Sequence, residues 1–173
     1  GLPQGGLIPF YPYGVEVYFF MGTITLPGPG EYTISWHQCC RNGAIQNLST
    51  PNSNELQLHT TVTIDPNQFN STPYFMVKPV VFLPVNTPWQ YNPLPFDPDG
   101  DSLNWSLGIP NDFDGSVTGM PISGYFDPLS DPSNPISIDP VTGTISWTAS
   151  ALGHWVYAVI CEEYRNGVKI GEI

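Results

Sequence analysis

The chain has 173 residues, four of them Lys or Arg and fifteen Asp or Glu, for a formal net charge of −11. Nucleic-acid binding and attraction to anionic lipid both need a basic patch, so neither is expected. No apolar run reaches the roughly 20 residues that span a bilayer, so membrane insertion is not expected either, while 40% apolar residues suffice for a core.

Helical periodicity is absent, and the seventeen Gly and twenty Pro read as turns between short strands. Val15–Phe20 and Gly22–Leu26 are β-branched and aromatic. Pro27-Gly28-Pro29-Gly30 interrupts them, and Glu31–Trp36 alternates with Tyr32, Ile34 and Trp36 on one face, which predicts a hairpin. Residues 41–54 read as a polar loop, and Leu56, Leu58, Thr60, Val62 and Ile64 as the next strand. Asp65–Pro73 is the natural linker, dividing the chain into units 1–69 and 70–173. The second unit is predicted to hold strands near 74–83, 89–91, 103–107, 136–138, 144–148, 154–164 and 168–170. The stretch 109–134, rich in Asp, Pro, Gly and Ser, is long for a connection. The fold class is all-β, with short strands and turns that suit Greek-key sandwiches.

Phe96-Asp97-Pro98-Asp99-Gly100-Asp101-Ser102-Leu103 places three carboxylates at alternate positions around a Gly turn. In an extended loop they converge on one side, where mutual repulsion is relieved by a cation such as calcium, which takes six to eight oxygen ligands. The spacing is not that of an EF-hand. Further ligands must come from distant chain, and Glu162 or Glu163 is the candidate, with at most one facing the site. The alternative is a solvated turn with Pro98 and Asp99 central and Gly100 left-handed. Asp139-Pro140-Val141-Thr142-Gly143 has a single carboxylate and reads as a structural turn.

His37, His59 and His154 lack metal-ligand spacing, and no nucleophile elbow, zincin or phosphate-loop motif is present, so an enzyme is not expected. Cys39 and Cys40, adjacent on an extended chain, point to opposite faces, so each is expected to bond elsewhere: to Cys161 or to another segment. Trp89, Tyr91, Trp105 and Trp155 are the aromatics to consider for stacking on glycan rings, against a core role. Asn47, Asn70 and Asn104 begin N-glycosylation patterns.

Several pieces resemble a known family. Gly14–Tyr18, Gly22–Pro27, Tyr32–Trp36 and Cys39-Cys40-Arg41-Asn42-Gly43-Ala44-Ile45-Gln46-Asn47 are similar to a stretch of large exported surface proteins of Bacteroidetes-type bacteria, of the gliding-motility and type IX secretion kind. Phe96–Leu103, Ile138–Trp147, Gly153–Tyr157 and Glu163–Gly167 resemble cadherin-like, dystroglycan-type immunoglobulin-fold domains common in them. The resemblance implies two immunoglobulin-like or cadherin-like β-sandwich units, the first incomplete, in a secreted, cell-surface protein. It implies calcium at Asp97, Asp99 and Asp101, to which Glu163 is added. Similar proteins carry further strands before the part matching Gly14 and beyond the part matching Gly171. Open sheet edges are therefore expected to pair with other chains of the same surface assembly. The expectation is a non-enzymatic structural or adhesive module, in which calcium stiffens the loop or the junction between units. The alternative is a carbohydrate-binding module with glycan partners.

Overall fold

A computed structural model describes residues 4–7 and 16–173, with side chains from Phe20 onward. The strands in chain order are β1 (Gln4–Leu7), β2 (Glu16–Phe19), β3 (Gly30–Gln38), β4 (Leu56–Ile64), β5 (Tyr74–Phe75), β6 (Trp89–Tyr91), β7 (Pro95–Phe96), β8 (Ser102–Gly108), β9 (Asn111–Asp112), β10 (Met120–Pro121), β11 (Ser137–Ile138), β12 (Ile145–Trp147), β13 (Ala158–Arg165) and β14 (Val168–Glu172). Every regular element among the described residues is a strand, and all strand pairs are antiparallel, as the all-β reading expects.

The largest sheet has seven strands. β3 pairs along the whole of β4, from Gly30 opposite Ile64 to Gln38 opposite Leu56. The other edge of β4 is shared, with Gln57 opposite Asn111 of β9 and Val62 opposite Gly171 of β14. β14 then pairs with β13, and β13 with β8. Strands from both sides of residue 69 thus belong to one sheet. A three-stranded sheet has the order β11–β12–β6, and the Trp105 N–H of β8 donates to the Pro140 carbonyl in its turn.

The core draws on both sheets: Trp105, Ile145, Trp147, Ala149 and Cys161 are all buried. Trp105 of β8 meets the Phe75 ring at 5.6 Å between centroids and the turn joining β11 to β12. That turn is the Asp139–Gly143 segment. Asp139 Oδ1 accepts from the Val141 and Thr142 N–H groups, and Gly143 adopts φ 68° directly over the Trp105 indole. A Cβ at Gly143 would stand 2.9 Å from two indole carbons, so only glycine fits both the conformation and the space.

A second fixed point is Asn47, wholly buried, whose amide donates to the Phe126 and Val156 carbonyls and accepts the Val156 N–H. It pins the polar loop 41–54 to the far end of the chain. The acceptor asparagine of its glycosylation pattern is therefore inside the folded protein. Arg41 donating to the Asn111 carbonyl at 2.7 Å, and Asp112 accepting from the Asn54 amide and the Glu55 N–H, add to the same junction. The predicted long loop 109–134 thus contributes β9 and β10 and is tied down by its own carboxylate.

Of three local predictions, one is met and two need correction. The strand expected over Val15–Phe20 appears as β2, although Val15 lies outside the described residues. Gly22–Leu26 forms no strand, so the hairpin with β3 is not made. Pro27 and Pro29 remove N–H groups at the bend, while β4 offers β3 nine paired positions. In the stretch 74–83 only Tyr74 and Phe75 form a strand, with β7; the Met76 and Val77 N–H groups still bond to the Leu94 and Pro93 carbonyls, and Pro79 then removes a donor.

Candidate metal centre

The Asp97–Asp101 loop joins β7 to β8 and is shaped by its first carboxylate. Asp97 Oδ1 accepts from the Asp99 N–H at 2.9 Å and the Asp101 N–H at 3.0 Å, and Gly100 adopts φ 78°. The expected turn is therefore present. Because it bends the chain, the three aspartates do not converge on one point. Asp97 and Asp101 turn toward Glu163, while Asp99 Oδ2 accepts the Ser71 N–H at 2.6 Å. The third carboxylate of the cluster is Glu163, and ligand atoms of Asp97, Asp101 and Glu163 all lie within 4.8 Å of one another. Asp99 is not in this group.

β13 explains why Glu163 is there. Alternation sends Glu162 outward, to Lys169 Nζ at 2.7 Å, and Glu163 inward, opposite Leu103 and Gly171. Glu163 has no exposed surface, and neither of its carboxylate oxygens has a hydrogen-bond partner. Asp97 Oδ2 and Asn70 Nδ2 are buried and unpartnered beside it. Burial pushes the Glu163 carboxyl up to about 7. The Asn70 amide opposes the rise, and the neighbouring Asp97 and Asp101 charges add to it. Asp101 is shifted the other way, because Arg165 holds it below the usual carboxylate range with a two-pronged contact of 2.8 and 2.5 Å.

This donor set fits a hard cation. Three carboxylates converge, and buried oxygens lack the partners that buried polar atoms almost always have. Calcium there would be held by Asp97, Asp101 and Glu163, and its charge would remove the repulsion among them.

The cysteines differ from expectation. Cys39 and Cys40 are bonded to each other, and Cys161 is a buried free thiol. β3 ends at Gln38, so the pair lies beyond the strand and the alternation that separates neighbours on an extended chain does not apply. Of the aromatic candidates, Trp105 is core and only 2% exposed, which removes it from any stacking face. Trp89 and Tyr91 are half-buried and stack on each other at 5.8 Å, with the Tyr91 hydroxyl donating to the Val77 and Lys78 carbonyls. Trp155 is half-buried, its Nε1 donating to the Ala151 carbonyl. A shallow cleft of about 310 Å³ beside Trp89 is lined by Pro88, Gln90, Asn134 and Ser146.

No protein-family model matches the chain, and comparisons with the curated proteins and with the solved structures return no match.

Proposed function

We propose that the chain is a non-enzymatic, extracellular structural or adhesive module of a larger bacterial surface protein, with a calcium ion stiffening the Asp97–Asp101 loop against β13. One observation carries the calcium part: Glu163 is a fully buried carboxylate with both oxygens unpartnered, facing Asp97 and Asp101. The all-β architecture and the low Lys and Arg content agree with an exported module, and the resemblance of the Asp-rich loop adds to it. Secretion, surface display and pairing with other chains of the assembly belong to this reading as proposals. Thermal unfolding in calcium against chelator tests it. Ligand at a hundredfold excess over its dissociation constant adds ~2.7 kcal/mol, about 5–10 °C for a chain of this size. An unchanged midpoint, equal in the wild type and in Asp97→Asn, would remove calcium from the function.

A second reading is carbohydrate binding, favoured by Trp89 bordering a cleft lined by the polar side chains of Gln90, Asn134 and Ser146. Glycan-array binding lost in Trp89→Ala, with an unchanged unfolding midpoint, is its expected signature.

A further inference from the structure

The acidic cluster already has a cation beside it, and that cation belongs to the chain. Arg165 grips both oxygens of Asp101 with Nε and Nη2. Its Nη1 donates to the Phe69 carbonyl at 3.0 Å, and Nη2 also donates to Asn70 Oδ1 at 2.8 Å. Asp99, 3.8 Å from the same Nη2, holds the next residue through the Ser71 N–H. One guanidinium thus ties the segment 69–71, between β4 and β5, to the acidic loop.

This arrangement leaves an imbalance. Arg165 follows Glu163 by two residues on β13, yet it satisfies Asp101 and leaves the Glu163 oxygens and Asp97 Oδ2 without partners. A divalent ion serving those oxygens also needs an oxygen of Asp101, and both are engaged by the guanidinium. The ion and the guanidinium would then sit side by side, where like charges repel strongly because the protein screens them weakly.

We propose that Arg165 is a built-in competitor for the metal centre: a divalent cation held by Asp97, Asp101 and Glu163 displaces the guanidinium from Asp101 and loosens its hold on Phe69 and Asn70. Cation binding is then read out as release of the segment 69–71, and stiffening is confined to the loop. This rests on the cation reading above.

The test is a calorimetric calcium titration of the wild type, Arg165→Gln and Arg165→Lys, with chymotryptic cleavage after Phe69, which is 95% exposed, followed in parallel. Arg165→Gln is expected to bind calcium at least tenfold more tightly. Arg165→Lys keeps the charge without the two-pronged grip and is the variant safer for folding; it is expected to gain several-fold. Calcium is expected to speed cleavage of the wild type several-fold, whereas Arg165→Gln is cut fast with or without it. Unchanged or weaker affinity in both variants, or slower wild-type cleavage in calcium, would overturn the competition and leave the cation reading standing. Absence of calcium uptake by all three proteins would overturn both.

Discussion

Gly171 of β14 lies opposite Glu163 of β13, and a Cβ on Gly171 would stand 2.6 Å from Glu163 Oε2. The backbone of β14 forms one wall of the acidic site because it carries no side chain there. The space taken by the Glu163 carboxylate is the space a larger residue would fill.

Gly171→Ala is therefore expected to push Glu163 against Asp97 and Asp101. The loss of stability should be about 1–3 kcal/mol, the range for adding a methyl group to a packed site. Urea denaturation checks the magnitude. A parallel calcium titration should show weaker binding, whereas a purely structural role for Gly171 would leave the affinity unchanged.

Stability without metal should depend on pH through the same residue. The Glu163 carboxyl is raised from 4.5 to about 7 in the folded state. Folding favours its protonated form, so its contribution is complete below pH 4.5 and is lost as pH rises through about 7. Asp101 has the opposite sign. Held low by Arg165, it contributes above its ordinary 3.8 and that contribution is lost as pH falls below it. In chelator the urea midpoint is expected to fall between pH 5 and pH 8, and Glu163→Gln is expected to flatten that fall.

The Asp-rich turn and the inward direction of one of two adjacent glutamates follow from spacing and alternation, and were legible in the sequence, whereas of the five tryptophans only Trp105 and Trp147 are buried in the core. The position of Asp99 was not, because Asp97 bends the loop through its own side chain and breaks the alternation. The role of Arg165 was also hidden. Its partners Asp101, Phe69 and Asn70 are 64 to 96 residues away in the chain, and only the sheet brings them together. The hairpin expected for Gly22–Trp36 failed for a related reason: local pattern named two strands but could not choose between β4 and the nearer partner.

Asn47 should be among the most sensitive polar positions. Asn47→Ala removes three hydrogen bonds and leaves the part-buried Val156 N–H and two carbonyls without those partners. An unsatisfied buried group costs about 1–3 kcal/mol, so a loss of about 3 kcal/mol or more is expected in chemical denaturation. Asn104→Ala, at an exposed position, serves as the control.

Thiol counting checks the cysteine chemistry. Burial, with the Glu163, Asp97 and Glu162 charges nearby, pushes the Cys161 thiol up to about 12, so the native protein should be inert to a thiol reagent at neutral pH. Denatured without reductant it should show one thiol, and after reduction all three.

β14 follows every other described element along the chain, yet it lies between β4 and β13. Its pairing at Val62 spans more than a hundred residues, and Gly171 is needed before either neighbour has its full set of partners. Contacts so distant in sequence are slow to form. A chain emerging from a ribosome or a narrow pore would hold its main sheet unfinished until these residues appeared, and complete it in one late step.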